Sequence, residues 1–166
     1  DYRKITKNMG FNVLILPKNQ NLGDLYADDF ALKTIPEEYA TRLARSKVVT
    51  IQHLMPTLQQ KLKWPERQRT ILLVGTRGEI PMLHANPKKP ILDAVAKGEI
   101  VLGYELHHTL NLKAGSVLKL LGREFKVSKC YPERGTKDDI TVWINLQEAQ
   151  TLLNKKGLIN GILALE

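Results

Sequence analysis

The chain has 166 residues, of which 43% are apolar and 25% charged, and its formal net charge is +8. This length and apolar content suffice for one compact domain or two small lobes with a buried core, and they exclude extensive disorder. The longest apolar runs are far shorter than the roughly 20 residues that a membrane-spanning helix needs. The chain begins at Asp1 without a signal peptide, so we expect a fragment whose targeting information lies outside it.

The first third of the chain is predicted to form one strand and one helix. The run GFNVLILPK, residues 10–18, opens at a glycine, is rich in aliphatic residues and closes at a proline, which is typical of a buried strand. In IPEEYATRLARSK, residues 35–47, Pro36 fits the first turn of a helix, and the two glutamates after it suit the positive helix N-terminus. Tyr39, Leu43 and the neighbouring alanines are predicted to form its apolar face.

Residues 48–77 are predicted to form a long hairpin. VVTIQHLMPTLQQKLKW alternates as a strand does and is expected to bend near Pro56, and RTILLVGTR supplies its partner. At the turn, an aromatic residue beside an arginine is typical of a protein-binding anchor, and an exposed Trp64 predicts that Trp64→Ala leaves folding nearly intact. The alternative is a tryptophan folded back onto its own hairpin. The candidate partner-contact residues at this turn are Trp64, Pro65, Glu66 and Arg67.

A proline-rich connector is predicted to follow the hairpin. GEIPMLHANPKKP, residues 78–90, holds three prolines and cannot be regular structure throughout. Met82 and Leu83 in this segment are a second candidate partner contact. The alternative is that the segment serves only as a crossover.

The second half of the chain is predicted to alternate short strands and helices. Asn145 and Glu148 have the spacing of a capping box for the last helix. The predicted elements are a helix over 91–98, a strand over 99–103, a helix over 104–112, hairpin strands over 114–122 and 123–130, a strand over 140–144, a helix over 146–153 and a strand over 158–166.

The four histidines and one cysteine give no metal-binding pattern. Neighbouring side chains diverge by about 100° on a helix and 180° on a strand, so His107 and His108 cannot face one metal, and we expect one to pack and the other to be solvated. His53 and His84 lie apart from cysteines or carboxylates at metal spacing. A single cysteine, Cys130, excludes an internal disulfide and a cysteine-based zinc site. Convergence of residues distant in sequence stays open.

No catalytic motif is present in the sequence. GTRG at residues 75–78 lacks the Gly-Lys-Ser/Thr of a phosphate-binding loop, and Gly-x-Ser-x-Gly does not occur. The acidic pairs Asp28-Asp29 and Asp138-Asp139 lie in turn-like segments, where carboxylates cap backbone donors. General acid and base chemistry at these pairs is the alternative.

Several separated segments resemble one family of membrane proteins. RKITKNMGFNVLILPK is similar to the opening of the family's domain after its first transmembrane helix, and EIVLGYELHHTLNLKAGSVLKLLGREFKV to its Gly-x-Glu-Leu motif and the strand pair that follows. DDITVWINLQEAQTLL and LINGILALE resemble its downstream strand, helix and return strand. The chain therefore resembles the extracytoplasmic core domain of type VII ABC transporter permeases, the MacB-like and FtsX-like group related to lipoprotein-release permeases.

The resemblance implies an α+β fold in two lobes. Residues 1–97 together with 158–166 are expected to form a porter-like α/β lobe, and residues 98–157 an inserted, mostly β, sabre-like lobe. Members of the family continue past the position of INGILALE, so the resemblance also implies a porter-like lobe that is truncated or trimmed at its C-terminus.

The resemblance also implies a non-catalytic function. The chain is expected to be a soluble periplasmic domain of a membrane-anchored permease that is dimeric in the full transporter. A separate ABC ATPase subunit or domain would hydrolyse ATP in the cytoplasm, and the domain would couple that hydrolysis to a periplasmic partner protein or a lipophilic substrate. The resemblance implies neither a cofactor nor a nucleic-acid partner.

Two other classes of function stay open. A net charge of +8 and a pI near 9.6 suit a basic β-module that binds nucleic acid, although the basic residues are scattered and aromatic residues are few. A hydrolase would need polar groups that converge in a pocket, which spacing in sequence does not reveal.

Overall fold

A computed structural model of the chain describes residues 13–18, 20–21, 30–45, 53–81 and 93–165. These residues form a mixed α+β fold. The strands are β1 (Val13–Ile15), β2 (Ile35–Pro36), β3 (His53–Trp64), β4 (Arg69–Thr76), β5 (Glu99–Leu102), β6 (Val117–Leu120), β7 (Arg123–Cys130), β8 (Thr141–Asn145), β9 (Leu158–Ile159) and β10 (Gly161–Leu165). The helices are α1 (Glu38–Ala44), α2 (Tyr104–Thr109) and α3 (Leu146–Leu152), with a 3-10 turn at Lys137–Ile140.

One mixed sheet of eight strands forms the centre of the molecule. Its strand order is β1-β10-β3-β4-β8-β5-β7-β6, and β2 and β9 form a separate two-stranded sheet. The pairs β4–β8 and β5–β7 are parallel, and the other pairs of the large sheet are antiparallel. β4 belongs to the predicted porter-like lobe and β8 to the predicted sabre-like lobe, and the two strands pair. The large sheet therefore continues without a break across the predicted lobe boundary at residue 98. The division into two lobes stays a prediction.

The long hairpin is confirmed and extends through much of the sheet. β3 has 12 residues, pairs with β10 over its first half and with β4 over its second half, and remains paired at Pro56, opposite Ile162. At about 3.3 Å per residue, β3 is about 40 Å long. β3 therefore reaches from the part of the sheet that contains β10 and β1 to the tip of the hairpin.

The two faces of the sheet bury different groups of residues. Ile71 and Leu73 of β4 face the main core together with α2 and α3, while Leu72 and Val74 face the opposite side, as alternation along a strand requires. The main core also contains Trp64, Ile100, Leu102, Leu106, Leu118, Leu120, Phe125, Val127, Val142, Ile144 and Ala149. The opposite face contains Leu72, Val74, Val95, Val101, Tyr131 and Trp143.

Three predictions about helices are wrong. Pro36 lies in β2 rather than in the first turn of α1, which begins at Glu38, because residues 35 and 36 pair with β9. The buried positions of α1 are Ala40 and Ala44, whereas Tyr39 is exposed. The predicted helix over 91–98 is not formed in its described part, residues 93–98, which run as a loop into β5.

The other predicted elements of the second half are confirmed, with one exception. The strand over 99–103 corresponds to β5, the short helix to α2, the hairpin to β6 and β7, the strand over 140–144 to β8 and the last helix to α3. The single strand predicted over 158–166 is instead divided at Asn160 into β9, which pairs with β2, and β10, which belongs to the large sheet. Asn145 caps α3, since its side-chain oxygen accepts a hydrogen bond from the backbone N–H of Gln147 at 3.0 Å.

Candidate functional site at the hairpin tip

The tip of the long hairpin is a four-residue turn between β3 and β4. Pro65 to Gln68 form this turn, and the backbone N–H of Arg67 donates to the backbone oxygen of Trp64 at 3.2 Å. Gln68 closes it with a φ of 51°, in the left-handed region. Pro65 and Glu66 are exposed, and Arg67 is half-buried. The predicted tip is therefore present and partly open to solvent.

Trp64 lies in the main core and not at the surface. Its side chain is 0% exposed, and its indole nitrogen donates a hydrogen bond to the backbone oxygen of Lys119 at 2.7 Å. The guanidinium carbon of Arg67 lies 5.9 Å from the centroid of the ring. The prediction that Trp64 is an exposed partner anchor is wrong, because its apolar ring and its N–H both find partners inside the protein. The ring reaches β6 of the neighbouring hairpin rather than folding back onto its own.

Glu66 binds the turn of that neighbouring hairpin. Its two carboxylate oxygens accept hydrogen bonds from the backbone N–H groups of Leu121, at 3.1 Å, and Gly122, at 2.7 Å. Both turn residues have positive φ, 52° and 81°, which is typical of a two-residue type I′ turn. Hydrogen bonding, from Gly122 foremost, lowers the pKa of the Glu66 carboxyl below its ordinary value. A charged Glu66 therefore stabilises a turn in which Leu121 adopts a conformation that costs about 1–2 kcal/mol.

These interactions join the ends of two hairpins, and we call them the tip contact. Neither Trp64 nor Glu66 is close in sequence to its partner, since 55 or more residues separate each pair. No local sequence signal indicates the pairing. The glycine in the turn shows only that a turn is there. The tip contact consists of Trp64, Glu66, Lys119, Leu121 and Gly122.

A second connection lies beside the turn of the β6–β7 hairpin. Glu148 of α3 is 8% exposed, and one of its carboxylate oxygens accepts from the backbone N–H of Gly98 at 2.7 Å. The other oxygen lies 3.2 Å from a guanidinium nitrogen of Arg123, at the start of β7. The capping-box role predicted for Glu148 is therefore not formed, because both oxygens bind groups outside α3. This carboxylate ties α3 to β7 and to the loop before β5.

The neighbouring residues His107 and His108 each contact another residue of the protein. A ring nitrogen of His107, Nε2, lies 2.7 Å from the backbone oxygen of Tyr131. His108 is exposed and stacks on Tyr104, with ring centroids 5.0 Å apart and an interplanar angle of 15°. The expectation that one ring packs and the other is solvated is confirmed.

His53 has a partner that sequence spacing did not suggest. Its Nδ1 lies 2.5 Å from a carboxylate oxygen of Glu79, and both side chains are nearly buried. Within the described ranges, no group of three or more His, Cys, Asp or Glu side chains converges as a metal site. His84 lies outside these ranges.

The acidic pair Asp138-Asp139 binds groups of its own loop, as the turn-like sequence around it predicts. Asp139 accepts hydrogen bonds at 2.9 Å from the backbone N–H groups of Arg134 and Gly135. Asp138 forms an ion pair at 3.0 Å with the Arg134 side chain. Both carboxylates therefore stabilise the segment between β7 and β8. The other acidic pair, Asp28-Asp29, and the candidate contact residues Met82 and Leu83 lie outside the described residues.

Comparison with known proteins finds similarity in structure but not in sequence. Neither the protein-family models nor the curated proteins match the sequence. Among solved structures, the chain is similar to the extracellular domain of the noncanonic ABC-type transporter YknZ from Gram-positive bacteria, with a TM-score of 0.57 and 12% identity. The match covers 91% of this chain and 80% of that chain. This chain has the fold of that extracellular domain.

The resemblance to an ABC permease extracytoplasmic domain is thereby confirmed at the level of the fold, and so is the α+β fold class. None of the helices in the described parts of the chain is long and apolar enough to cross a bilayer.

Proposed function

We propose that the chain is the non-catalytic extracytoplasmic domain of an ABC transporter permease. The observation that carries this proposal is the fold shared with the extracellular domain of an ABC-type transporter over 91% of the chain. An ABC ATPase subunit or domain is then the partner that supplies energy, in a membrane-anchored and dimeric transporter. The role of the domain is to pass movement from the membrane to a partner protein or a lipophilic substrate outside it.

The continuous sheet suits this mechanical role. β3 is about 40 Å long and is paired along its length, with β10 and then with β4. At its far end, the tip contact fixes the hairpin to β6 and to the turn that follows, and the Glu148 carboxylate fixes β7 to α3. We therefore expect a displacement at the β1 side of the sheet to be carried to the β6 side.

The exposed residues of the tip remain our proposed partner contact. Pro65 and Glu66 are exposed and Arg67 is half-buried, so a partner can reach them without unfolding the turn. Trp64 is not part of this contact, because its buried ring supports the turn from inside the protein. Met82 and Leu83 complete the proposed contact set.

Accessibility of a single cysteine in whole cells tests the location of the domain. The protein is produced with the sequence that flanks it in its gene, with Cys130 replaced by serine and with Lys126→Cys on the exposed side of β7. We expect a maleimide that cannot cross membranes to label the new cysteine in intact cells. Labelling only after lysis would place the domain in the cytoplasm and overturn the proposal. Binding of nucleic acid that weakens steeply with salt would then favour the basic β-module.

Coupling is tested with variants of the tip contact in the same cells. Glu66→Ala removes both acceptors for the turn, whereas Arg69→Ala leaves the tip contact intact. We expect Glu66→Ala to reduce transport per ATP hydrolysed, and Arg69→Ala to leave that ratio unchanged. Equal ratios in both variants and in the wild type would contradict a mechanical role for this contact.

A further inference from the structure

A small cavity lies on the sheet face opposite the main core. Its volume is about 150 Å³. The apolar part of its wall consists of Val95, Val101, Tyr131 and Trp143, and the polar part includes Asp93 and Lys129. These residues come from β5, β7, β8, the position directly after β7 and the loop before β5, so paired strands form part of the wall. None of them belongs to the tip contact.

Among the described residues, no group accepts a hydrogen bond from the indole N–H of Trp143. Trp143 is 2% exposed. An indole N–H can only donate, and a buried donor without a partner is rare in folded proteins. Since Trp143 forms part of the cavity wall, its nitrogen lies within the width of one indole ring of the cavity. An acceptor that enters the cavity reaches this N–H after a small movement of the ring.

The Tyr131 ring in the wall has contacts on two sides. The rings of Tyr131 and Trp143 meet edge to face, with centroids 5.0 Å apart and an interplanar angle of 78°. The guanidinium carbon of Arg134 lies 4.2 Å from the centroid of the Tyr131 ring, and Arg134 also pairs with Asp138. The Tyr131 ring therefore lies between the Trp143 ring and a cation, which restricts its movement.

Among the described residues, the charges around the cavity balance. Asp93 and Lys129 contribute one charge of each sign to its lining, and Arg134 is neutralised by its pair with Asp138. A charged ligand would lose its hydration without gaining a net opposite charge, so the lining favours an uncharged molecule.

We propose that this cavity binds an uncharged molecule that has a benzene-sized apolar body and one hydrogen-bond acceptor, which accepts from the Trp143 indole N–H. The size follows from the volume, since an apolar protein cavity of about 150 Å³ holds benzene. The acceptor follows from the unpartnered N–H. The site stands independently of the proposed transporter role, because it rests only on the cavity and its wall.

Titration of the 166-residue chain with two matched probes tests the site. Acetophenone has an acceptor, and ethylbenzene has nearly the same shape without one. The two tryptophans give two indole N–H signals in a nitrogen-15 NMR spectrum. We expect acetophenone to move the Trp143 signal downfield in a saturable way and to leave the Trp64 signal unchanged, because the Trp64 N–H already donates to Lys119. Ethylbenzene should bind about tenfold more weakly, which is the usual contribution of one hydrogen bond.

Two variants separate the apolar and polar parts of the site. Ser128→Phe places a ring in the cavity from an exposed position of β7, where the serine hydroxyl makes only a long contact of 3.4 Å to Ile100, and it should abolish binding of both probes. Trp143→Phe removes the N–H and should make the two probes bind equally, as measured from the backbone signals of Val95 and Val101.

Three results would overturn the proposal. They are a Trp143 signal that does not move with acetophenone, equal binding of the two probes to the wild-type chain, and an unchanged preference in Trp143→Phe. The first result would mean that a bound water serves the N–H. The second and third would mean that the acceptor does not reach it.

Discussion

The indole nitrogen of Trp64 donates to the backbone oxygen of Lys119 at 2.7 Å, and this bond joins the end of β3 to β6 across 55 residues. Among the described strands, β6 is the last of the large sheet, so none of them pairs with the backbone groups of its outer edge. An unprotected edge invites pairing with other chains. Trp64 occupies one acceptor on this edge and buries its ring beside it, so one side chain both protects the edge and supports the hairpin tip.

Trp64→Ala is expected to destabilise the protein strongly. The variant removes a side chain that is 0% exposed and leaves a cavity in the main core, which typically costs about 3–5 kcal/mol. It also removes the hydrogen bond to Lys119. This reverses the expectation from sequence that the variant leaves folding nearly intact. Urea unfolding, followed by circular dichroism, measures the difference.

Arg67→Ala is the matched control for Trp64→Ala. Arg67 lies in the same turn, is half-buried, and contacts the Trp64 ring only through a guanidinium carbon at 5.9 Å. We expect a loss of less than about 1 kcal/mol, which is the range of an exposed cation–π contact. A loss as large as that of Trp64→Ala would show that the turn, and not the buried ring, supplies the stability.

The contribution of Glu66 is expected to disappear in acid. Hydrogen bonds from Gly122 and Leu121 lower its pKa in the folded protein below the ordinary value of 4.5. The stabilisation is therefore complete above the unfolded pKa and is lost as the pH falls from 4.5 through the folded pKa. Wild type should be more stable than Glu66→Gln at pH 7, and the difference should shrink toward zero in strong acid.

Glu124→Gln shows the general effect of removing one carboxylate from this region. Glu124 is exposed on β7, close in sequence to the turn that Glu66 binds. We expect this control to change stability at pH 7 less than Glu66→Gln does. If the two variants lose stability equally at pH 7, the hydrogen bonds of Glu66 to the turn contribute nothing, and the loss is only that of one negative charge.

Gly75→Ala is expected to separate a helix from the sheet. A Cβ added to Gly75 would overlap the Cβ of Ala149 and lie 3.3 Å from the Cα of Leu146, so α3 must move away from β4. Overpacking of this kind costs about 1–3 kcal/mol. Gly75 belongs to the GTRG segment that lacks the pattern of a phosphate-binding loop, and close packing accounts for its glycine. Thermal unfolding measures the cost.

The double variant Gly75→Ala with Ala149→Gly tests this explanation. Removing the Cβ of Ala149 relieves the overlap, although glycine within a helix costs about 1 kcal/mol on its own. The two changes together should therefore cost less than the sum of their separate costs. Additive costs would mean that Gly75 is needed for another reason.

Local patterns predicted most of the strands and helices, and the reason is visible in their burial. β6 alternates exposed and buried residues, and Asn145 directly precedes the helix that it caps, so each signal lies within the element it describes. The helix predicted over 91–98 failed because its alanines favour a helix only in isolation. In the fold, the backbone N–H of Gly98 donates to Glu148 and the oxygen of Val95 accepts from Asn145. Contacts with α3 and its cap overrode the local preference.

The candidate site could be predicted only in part. Sequence placed Trp64 and Glu66 correctly at a turn, because proline and polar residues between two strands indicate one. It could not show that the tip lies against the β6–β7 hairpin, since those partners are more than 50 residues away. Whether an aromatic residue at a turn is buried or exposed depends on which element lies beside the turn. The order of strands in the sheet decides which element that is.

The two tryptophans are expected to respond differently to replacement by phenylalanine. Both are almost fully buried, so the loss of ring area is similar. Trp64→Phe also breaks a hydrogen bond and leaves the Lys119 oxygen without it, whereas Trp143→Phe removes an N–H that has no acceptor among the described residues. Trp64→Phe should therefore be more destabilising by about 1 kcal/mol. Each variant keeps one tryptophan, so its fluorescence reports unfolding in urea. An equal or larger loss for Trp143→Phe would show that a buried water already satisfies the Trp143 N–H, and it would count against an acceptor-binding cavity.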